Sequence, residues 1–260
     1  MKRIIFFSAL FSTALYSCTD NDSLHTQNES LSVECYTRTS ENKKDIVQDF
    51  GMYVYTSTLT DYSGVSNPVH VIYSGSWNFP QISLSEEIAQ IYCFHPYTSM
   101  SNCKSLSLEL LSQTDYLASS NVVTADKDNP SVNIVMKHIL SKINVMIEGS
   151  NLCTVKLLSI PTVAQYDLVS DKMTLGDVSE FDTKSSSFYI FPSEKQQLKM
   201  NITYNGKEYE YTEVASNYES GKEYTFSLRI NDDKELVING DVTITDWEQA
   251  GDYEGTVNEK

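Results

Sequence analysis

The chain has 260 residues, enough for one large domain or two small ones. With 19 Lys and Arg against 35 Asp and Glu, the formal net charge is −16, which speaks against sequence-independent binding to nucleic acid, since that binding needs a basic patch to displace counterions. Hydrophobic residues make up 40% and aromatic residues 11%, with 17 Tyr but only 10 Gly and 6 Pro, so disordered, collagen-like and low-complexity chains are excluded.

Residues 1–18 read MKRIIFFSALFSTALYSC: a basic start at Lys2 and Arg3, an apolar run from Ile4 to Leu15, then small and polar residues ending in Cys18. This is the pattern of an export signal. Its apolar run is too short to cross about 30 Å of hydrocarbon at roughly 1.5 Å per residue. Leu15-Tyr16-Ser17-Cys18 resembles a bacterial lipobox, which implies a signal peptide over 1–17 and a diacylglycerol on the Cys18 thiol; the alternative is an ordinary secretory signal with an incidental cysteine. A lipidated Cys18 carrying a further amide-linked chain exceeds the single acyl chain that gives only marginal membrane binding. Residues 18–30 are polar and acidic and read as a flexible tether. Acidic residues just behind the lipid cysteine are similar to surface-export signals of Bacteroidetes lipoproteins.

Beyond residue 30 the apolar pattern has period 2 and no long amphipathic helix. Val33, Cys35 and Thr37 alternate with Glu34 and Tyr36; Phe50, Met52 and Val54 with Gly51, Tyr53 and Tyr55; Leu106, Leu108 and Leu110 with Ser107 and Glu109. Each suits a half-buried strand. Further strands are predicted at 69–74, 90–95, 132–137, 142–148, 154–160, 187–191, 223–230 and 241–245, and one or two helical turns at 84–90. Between 198 and 213, two alternating runs flank Asn205-Gly206, a pair that accepts positive φ in a type I′ hairpin turn.

Many short strands without crossover helices predict an all-β chain of two tandem β-sandwiches rather than a parallel α/β sheet. The most polar interruption, Thr124 to Pro130, sets the boundary, giving one unit over 31–130 and a second over 131–260 that ends in an acidic tail.

Chemistry-bearing patterns are sparse. His25, His70, His95 and His138 are far apart in sequence and fall in no metal-ligand spacing, so no metal or other cofactor is expected. His138 reads as a half-buried strand-end residue. No GxSxG frame and no phosphate loop occurs, and scattered carboxylates single out no acid-base pair, so the chain does not read as an enzyme. Asp126, Asp128 and Asn129 lack the Gly and distal Glu of a calcium loop and read as a solvated turn. The five cysteines form no CxxC; Cys93 with Cys103 is the first disulfide to consider, while Cys35 and Cys93, in strand patterns, also suit small buried hydrophobes. Tyr53, Tyr55, Tyr209 and Tyr211 are expected on outer sheet faces, where aromatics give rigid contact area for a receptor.

A series of short patterns resembles the fimbrillin-like family of the Bacteroidetes, whose members build or decorate type V pili. In order these are Tyr36-Thr37-Arg38-Thr39, the run from Asp49 to Tyr55, Trp77 with Phe79-Pro80, the aromatic run from Tyr92 to Tyr97, the run from Gln113 to Ala118, the run from Val135 to Ile143, Gly221-Lys222-Glu223-Tyr224 and Ile244-Thr245-Asp246-Trp247. The resemblance implies two Greek-key, transthyretin-like sandwiches on an outer-membrane lipoprotein at the cell surface. It also implies assembly by strand exchange: an arginine-directed protease cuts after the first strand, and the vacated groove takes a C-terminal strand from the next subunit.

Arg38 is the only arginine between Arg3 and Arg229, and it closes the first predicted strand, so the implied cut falls between Arg38 and Thr39 and frees residues 31–37. The implied donor is the segment 236–247, with Val237, Val242, Ile244 and Trp247 as pocket-filling residues. The implied partners are other fimbrial subunits, the outer membrane through the lipid anchor, and a host glycan or protein receptor. A tip or accessory subunit, or a non-polymerising lipid-anchored adhesin or binding module, is the alternative.

Overall fold

The computed structural model describes residues 29–40 and 43–247; for Arg38, Thr39, Ser40, Lys43 and Lys44 it describes the backbone only. The export signal, Cys18, most of the expected tether and the acidic tail lie outside the described residues. Within them every regular element is a strand, so the chain is all-β.

The first ten strands are β1 (Ser32–Ser40), β2 (Lys43–Ile46), β3 (Asp49–Tyr55), β4 (Val69–Tyr73), β5 (Trp77–Asn78), β6 (Ala89–His95), β7 (Leu106–Glu109), β8 (Leu117–Ser119), β9 (Val123–Ala125) and β10 (Ser131–His138). All but β7 form one sheet in the order β2-β1-β10-β8-β6-β3-β4-β5, with β9 also on β6. One face of this sheet lines a core that includes Val33, Cys35, Phe50, Met52, Ile91, Cys93, Ile134 and Met136. Residues from both halves of the sheet share that core, so the sheet curls over itself.

Thirteen strands follow. They are β11 (Ser141–Ile147), β12 (Cys153–Pro161), β13 (Val163–Asp167), β14 (Lys172–Leu175), β15 (Val178–Asp182), β16 (Ser187–Ile190), β17 (Ser193–Gln196), β18 (Lys199–Tyr204), β19 (Lys207–Thr212), β20 (Ser216–Tyr218), β21 (Lys222–Ile230), β22 (Leu236–Ile238) and β23 (Thr243–Asp246). A five-stranded sheet, β16-β11-β21-β22 with β23 also on β21, and a four-stranded sheet, β15-β12-β18-β19, share a second core. Ile143, Val145 and Phe226 enter it from the first of these sheets and Val155, Leu157 and Ile202 from the second. The strict alternation along β10 and β11 is the period-2 signal of the sequence realised as burial.

Several expectations change. The predicted helical turns at 84–90 are absent. The Ser85 carbonyl accepts the Lys127 N–H at 2.9 Å and the Glu87 carbonyl accepts the Tyr62 hydroxyl at 2.9 Å, while Leu84 donates its N–H to the Glu29 carbonyl at 2.8 Å, so these backbone groups are committed to distant partners in place of a helical ladder. Ala89 and Gln90 already belong to β6.

β3 and β6 are buried on both faces rather than one. Their second face, with Tyr53, Tyr55, Tyr92 and Phe94, joins the second core alongside Leu106 and Leu108 of β7 and Tyr166 of β13. The expected boundary after residue 130 falls just before β10, yet β10 is hydrogen-bonded into the first sheet, and Ile139 and Leu140 mark the passage to the second core. β7 also crosses over, pairing with β13 through Ser107 and Gln165.

Strands β13 to β15, which the sequence pattern does not mark, are antiparallel pieces with mostly exposed polar residues. The hairpin at β18 and β19 forms as expected, with φ of 50° at Asn205 and 72° at Gly206.

Candidate functional site

β1 is the second strand from one edge of the nine-stranded sheet. It runs parallel to β10 from Ser32 opposite Ser131 to Thr37 opposite Met136, and β2 covers its outer side, with Tyr36 opposite Ile46 and Arg38 opposite Lys44. Leu31, Val33, Cys35 and Thr37 all point into the first core. Leu31 is held by its N–H to the Ile82 carbonyl at 3.0 Å and Ser32 by its N–H to the Pro130 carbonyl at 2.8 Å. The Thr37 hydroxyl is buried with no hydrogen-bond partner among the described residues.

The sequence puts Arg38 at the close of the strand. The ladder instead continues through Arg38 and Thr39 to Ser40, because β2 folds back as a hairpin arm and pairs with this extension; the register is irregular between Arg38 and Ser40. The bond expected to be cut thus lies inside a hairpin strand at its least regular point.

Burial pushes the Cys35 thiol up to about 12 and raises Cys93 well above the ordinary thiol range. All four described cysteines are free and buried. The expected Cys93–Cys103 bridge is not formed: Cys93 belongs to the first core and Cys103 to the second.

The C-terminal segment lies along one edge of β21. β22 pairs antiparallel with Leu228 to Ile230 and β23 with Lys222 to Thr225, while β11 occupies the other edge in parallel register. Gly240, at φ 92°, sits in the break between the two pieces. All four residues of β23 are exposed, Ile244 at 58%, whereas Leu236 at one end and Trp247 at the other are 7% and 6% exposed. Of the expected donor residues, Trp247 is buried, Val237 and Val242 are half-buried and Ile244 is exposed. They cannot all face one groove in an unbroken strand, because Val242 and Ile244 share parity with Leu236 and Ile238, and Val237 and Trp247 lie on the opposite face.

Trp247 stacks on His138 with ring centres 4.0 Å apart and on Tyr189 at 4.8 Å, and the Lys142 ammonium lies 6.0 Å from its ring centre. His138 stands at the end of β10, as the sequence predicts, but is buried rather than half-buried, and its Nδ1 lies 2.9 Å from Asp115 Oδ1.

Asp126 Oδ1 accepts the backbone N–H groups of Asn129 and Asp128, at 2.7 and 2.9 Å, and those bonds hold its carboxyl below the usual range. This is a hydrogen-bonded turn, tied to the segment before β6 by the Lys127 N–H on the Ser85 carbonyl at 2.9 Å. Among the described residues no group of His, Cys, Asp and Glu is placed to hold a metal ion.

Glu213, which sequence patterns do not single out, is a buried carboxylate that accepts hydrogen bonds from Tyr218 Oη and from Ser216 Oγ at 2.8 Å; burial raises its pKa against those bonds. The receptor-facing tyrosines are not where the alternation puts them. Tyr53 and Tyr55 are buried in the second core, with Tyr53 Oη donating to the Met100 carbonyl at 2.7 Å, and Tyr209 and Tyr211 pack half-buried against that core.

Solved structures share this fold at low identity. A candidate cell adhesion protein from Bacteroides uniformis is 17% identical and matches with a TM-score of 0.64 over 84% of this chain and 98% of its own. A second from Bacteroides ovatus is 13% identical, with a TM-score of 0.60 over 84% and 96% of the two chains. A fimbrial protein from Bacteroides vulgatus is also 13% identical, with a TM-score of 0.54 over 85% and 100%. No curated protein matches the chain. Residues 37–247 match the family described as fimbrillin-like, and since that span is most of the sequence, the chain belongs to the fimbrillin-like family.

Proposed function

We propose that the chain is a structural subunit of a cell-surface fimbria, exported as a lipoprotein through Cys18 and assembled by protease-triggered strand exchange with other fimbrial subunits. The observation that carries this reading is the seat of β1. With Leu31 just before it, it inserts Val33, Cys35 and Thr37 at alternate positions into a core whose other walls are independent strands, and only β2 lies outside it.

Losing β1 leaves the β10 edge without its ladder and opens an apolar groove over Ile134, Met136 and Cys93. An incoming strand satisfies both, which is β-augmentation. Each fully buried Val or Leu side chain is worth roughly 1.5–3 kcal/mol, so β1 does not leave unaided; cleavage uncouples it from the hairpin with β2, and the donor replaces its burial.

The even-numbered face of the C-terminal segment fits the task. Leu236, Ile238, Val242 and Ile244 repeat at period 2 with a gap at Gly240, and Ile238 and Ile244 are only lightly used at home, at 39% and 58% exposed. A head-to-tail contact of this kind does not close on itself and so extends into a filament. Burial of Tyr53 and Tyr55 removes the principal support for a tyrosine-rich receptor face.

The test is limited trypsin digestion of lipid-free protein followed by an unboiled denaturing gel. A ladder of oligomers whose subunits begin at Thr39, lost in Arg38→Ala, is the expected result. A monomer under every protease condition contradicts a polymer-forming role.

A further inference from the structure

We propose that Trp247 is a clasp: its ring decides whether segment 236–247 stays docked along β21, making that segment a strap whose C-terminal end is the point of release. Burial is concentrated at its ends. The stretch from Thr243 to Asp246 is exposed throughout, so the strap is held by edge hydrogen bonds, by Leu236 and Trp247 at its ends, and by the half-buried Val237 and Val242, of which Val242 packs against the second core. The neighbouring Lys222–Asp246 ion pair, at 2.5 Å, has a well-exposed carboxylate, and pairs of that kind contribute little. An indole carries a large apolar surface and a favourable stacking geometry, so Trp247 is the dominant attachment.

The platform beneath the ring is built without the strap. His138 is fixed by Asp115, and Tyr189 is fixed by Gln113, whose Nε2 donates to the Tyr189 carbonyl at 3.2 Å while its Oε1 accepts the Tyr189 N–H at 2.7 Å. Lys142, at the rim, pairs with Glu223 at 3.0 Å. These residues come from β10, β16 and β11, so the ring bridges β10, an interior strand of the nine-stranded sheet, and the five-stranded sheet. The Trp247 N–H closes the ladder on the Gly221 carbonyl at 2.8 Å, next to the exit from that platform. A preformed seat and a thin strap give two discrete states, docked and free, and the ring sets their balance.

The clasp stands on this geometry alone; its consequence, that unclasping presents the even face of the strap to another subunit, rests on the strand-exchange reading. Hydrogen exchange of the intact protein, read by peptide mass spectrometry, tests the clasp. In Trp247→Ala the amides of 236–246 are expected to exchange at least about 30-fold faster, while those of β3, β6, β12 and β18 are unchanged. Unchanged strap protection, or acceleration spread equally over all strands, overturns the proposal. Should Trp247→Ala fail to fold, Trp247→Phe retains a smaller ring and is expected to show a weaker acceleration confined to the same peptides; a uniform effect or none overturns it. A freed strap with no protease-triggered ladder supports the clasp and counts against strand exchange, whereas a ladder with unaltered strap exchange counts against the clasp alone.

Discussion

Thr37 of β1 lies opposite Met136 of β10 in parallel register, and it carries into the first core a hydroxyl that nothing in the described structure pairs. The strand proposed to leave is therefore an imperfect occupant of its own groove. A buried hydroxyl without a partner costs about 1–3 kcal/mol. Replacing it with a methyl of similar shape removes that cost. Thr37→Val is expected to raise stability by about 1 kcal/mol in urea denaturation and to slow any process in which β1 leaves. A destabilised variant contradicts the assignment of an unpaired hydroxyl.

The hairpin between β18 and β19 gives an independent check on the second core. Gly206 has φ 72° with nothing near a would-be Cβ, so the cost of a side chain there is conformational rather than steric. Gly206→Val is expected to destabilise by about 1–2 kcal/mol in chemical denaturation, since a β-branched residue resists the left-handed region. Gly206→Asn, a residue that tolerates this region, is expected to be close to neutral.

Glu213 sets a pH dependence with a definite sign. Burial raises its folded pKa above the unfolded value, so the protonated carboxyl is the form the fold prefers. Its contribution is fully present below the unfolded pKa and is lost as pH rises through the folded one. Glu213→Gln mimics the protonated form. The stability of Glu213→Gln relative to the parent, followed by thermal melts from pH 4 to pH 8, is expected to increase with pH. A difference that stays constant across that range contradicts the assignment.

How much of this was legible in the sequence depended on how local the determining physics is. Asn205-Gly206 needs only its own two φ angles, and the hairpin formed. The alternation of β10 and β11 needs one wet face and one dry face, and it was readable. β3 and β6 misled because Tyr53, Tyr55 and Tyr92 suit either side of a sheet; only the approach of β7 and β13, from distant parts of the chain, buries them. The helical turns predicted at 84–90 gave way to a bond from Leu84 to Glu29, far upstream. Arg38 was recognisable as a rare residue, but its place inside a hairpin depends on β2, a short polar strand with little apolar signal. The Trp247 platform was illegible for the same reason, since His138, Tyr189 and Lys142 meet only after three strands have paired.

Cys93 offers the most direct test of the central claim that β1 vacates its groove and another strand fills it. Its thiol lies in the first core beside the seat of β1 and is buried and unreactive while that strand is docked. Alkylation followed by mass spectrometry, with recovery of the peptide ending at Arg38, reads both events. The expected result is no Cys93 labelling in the intact protein, labelling once the cut peptide is washed away, and renewed protection in polymers that lack the peptide. Retention of the cut peptide in washed polymers, with Cys93 protected throughout, contradicts strand exchange.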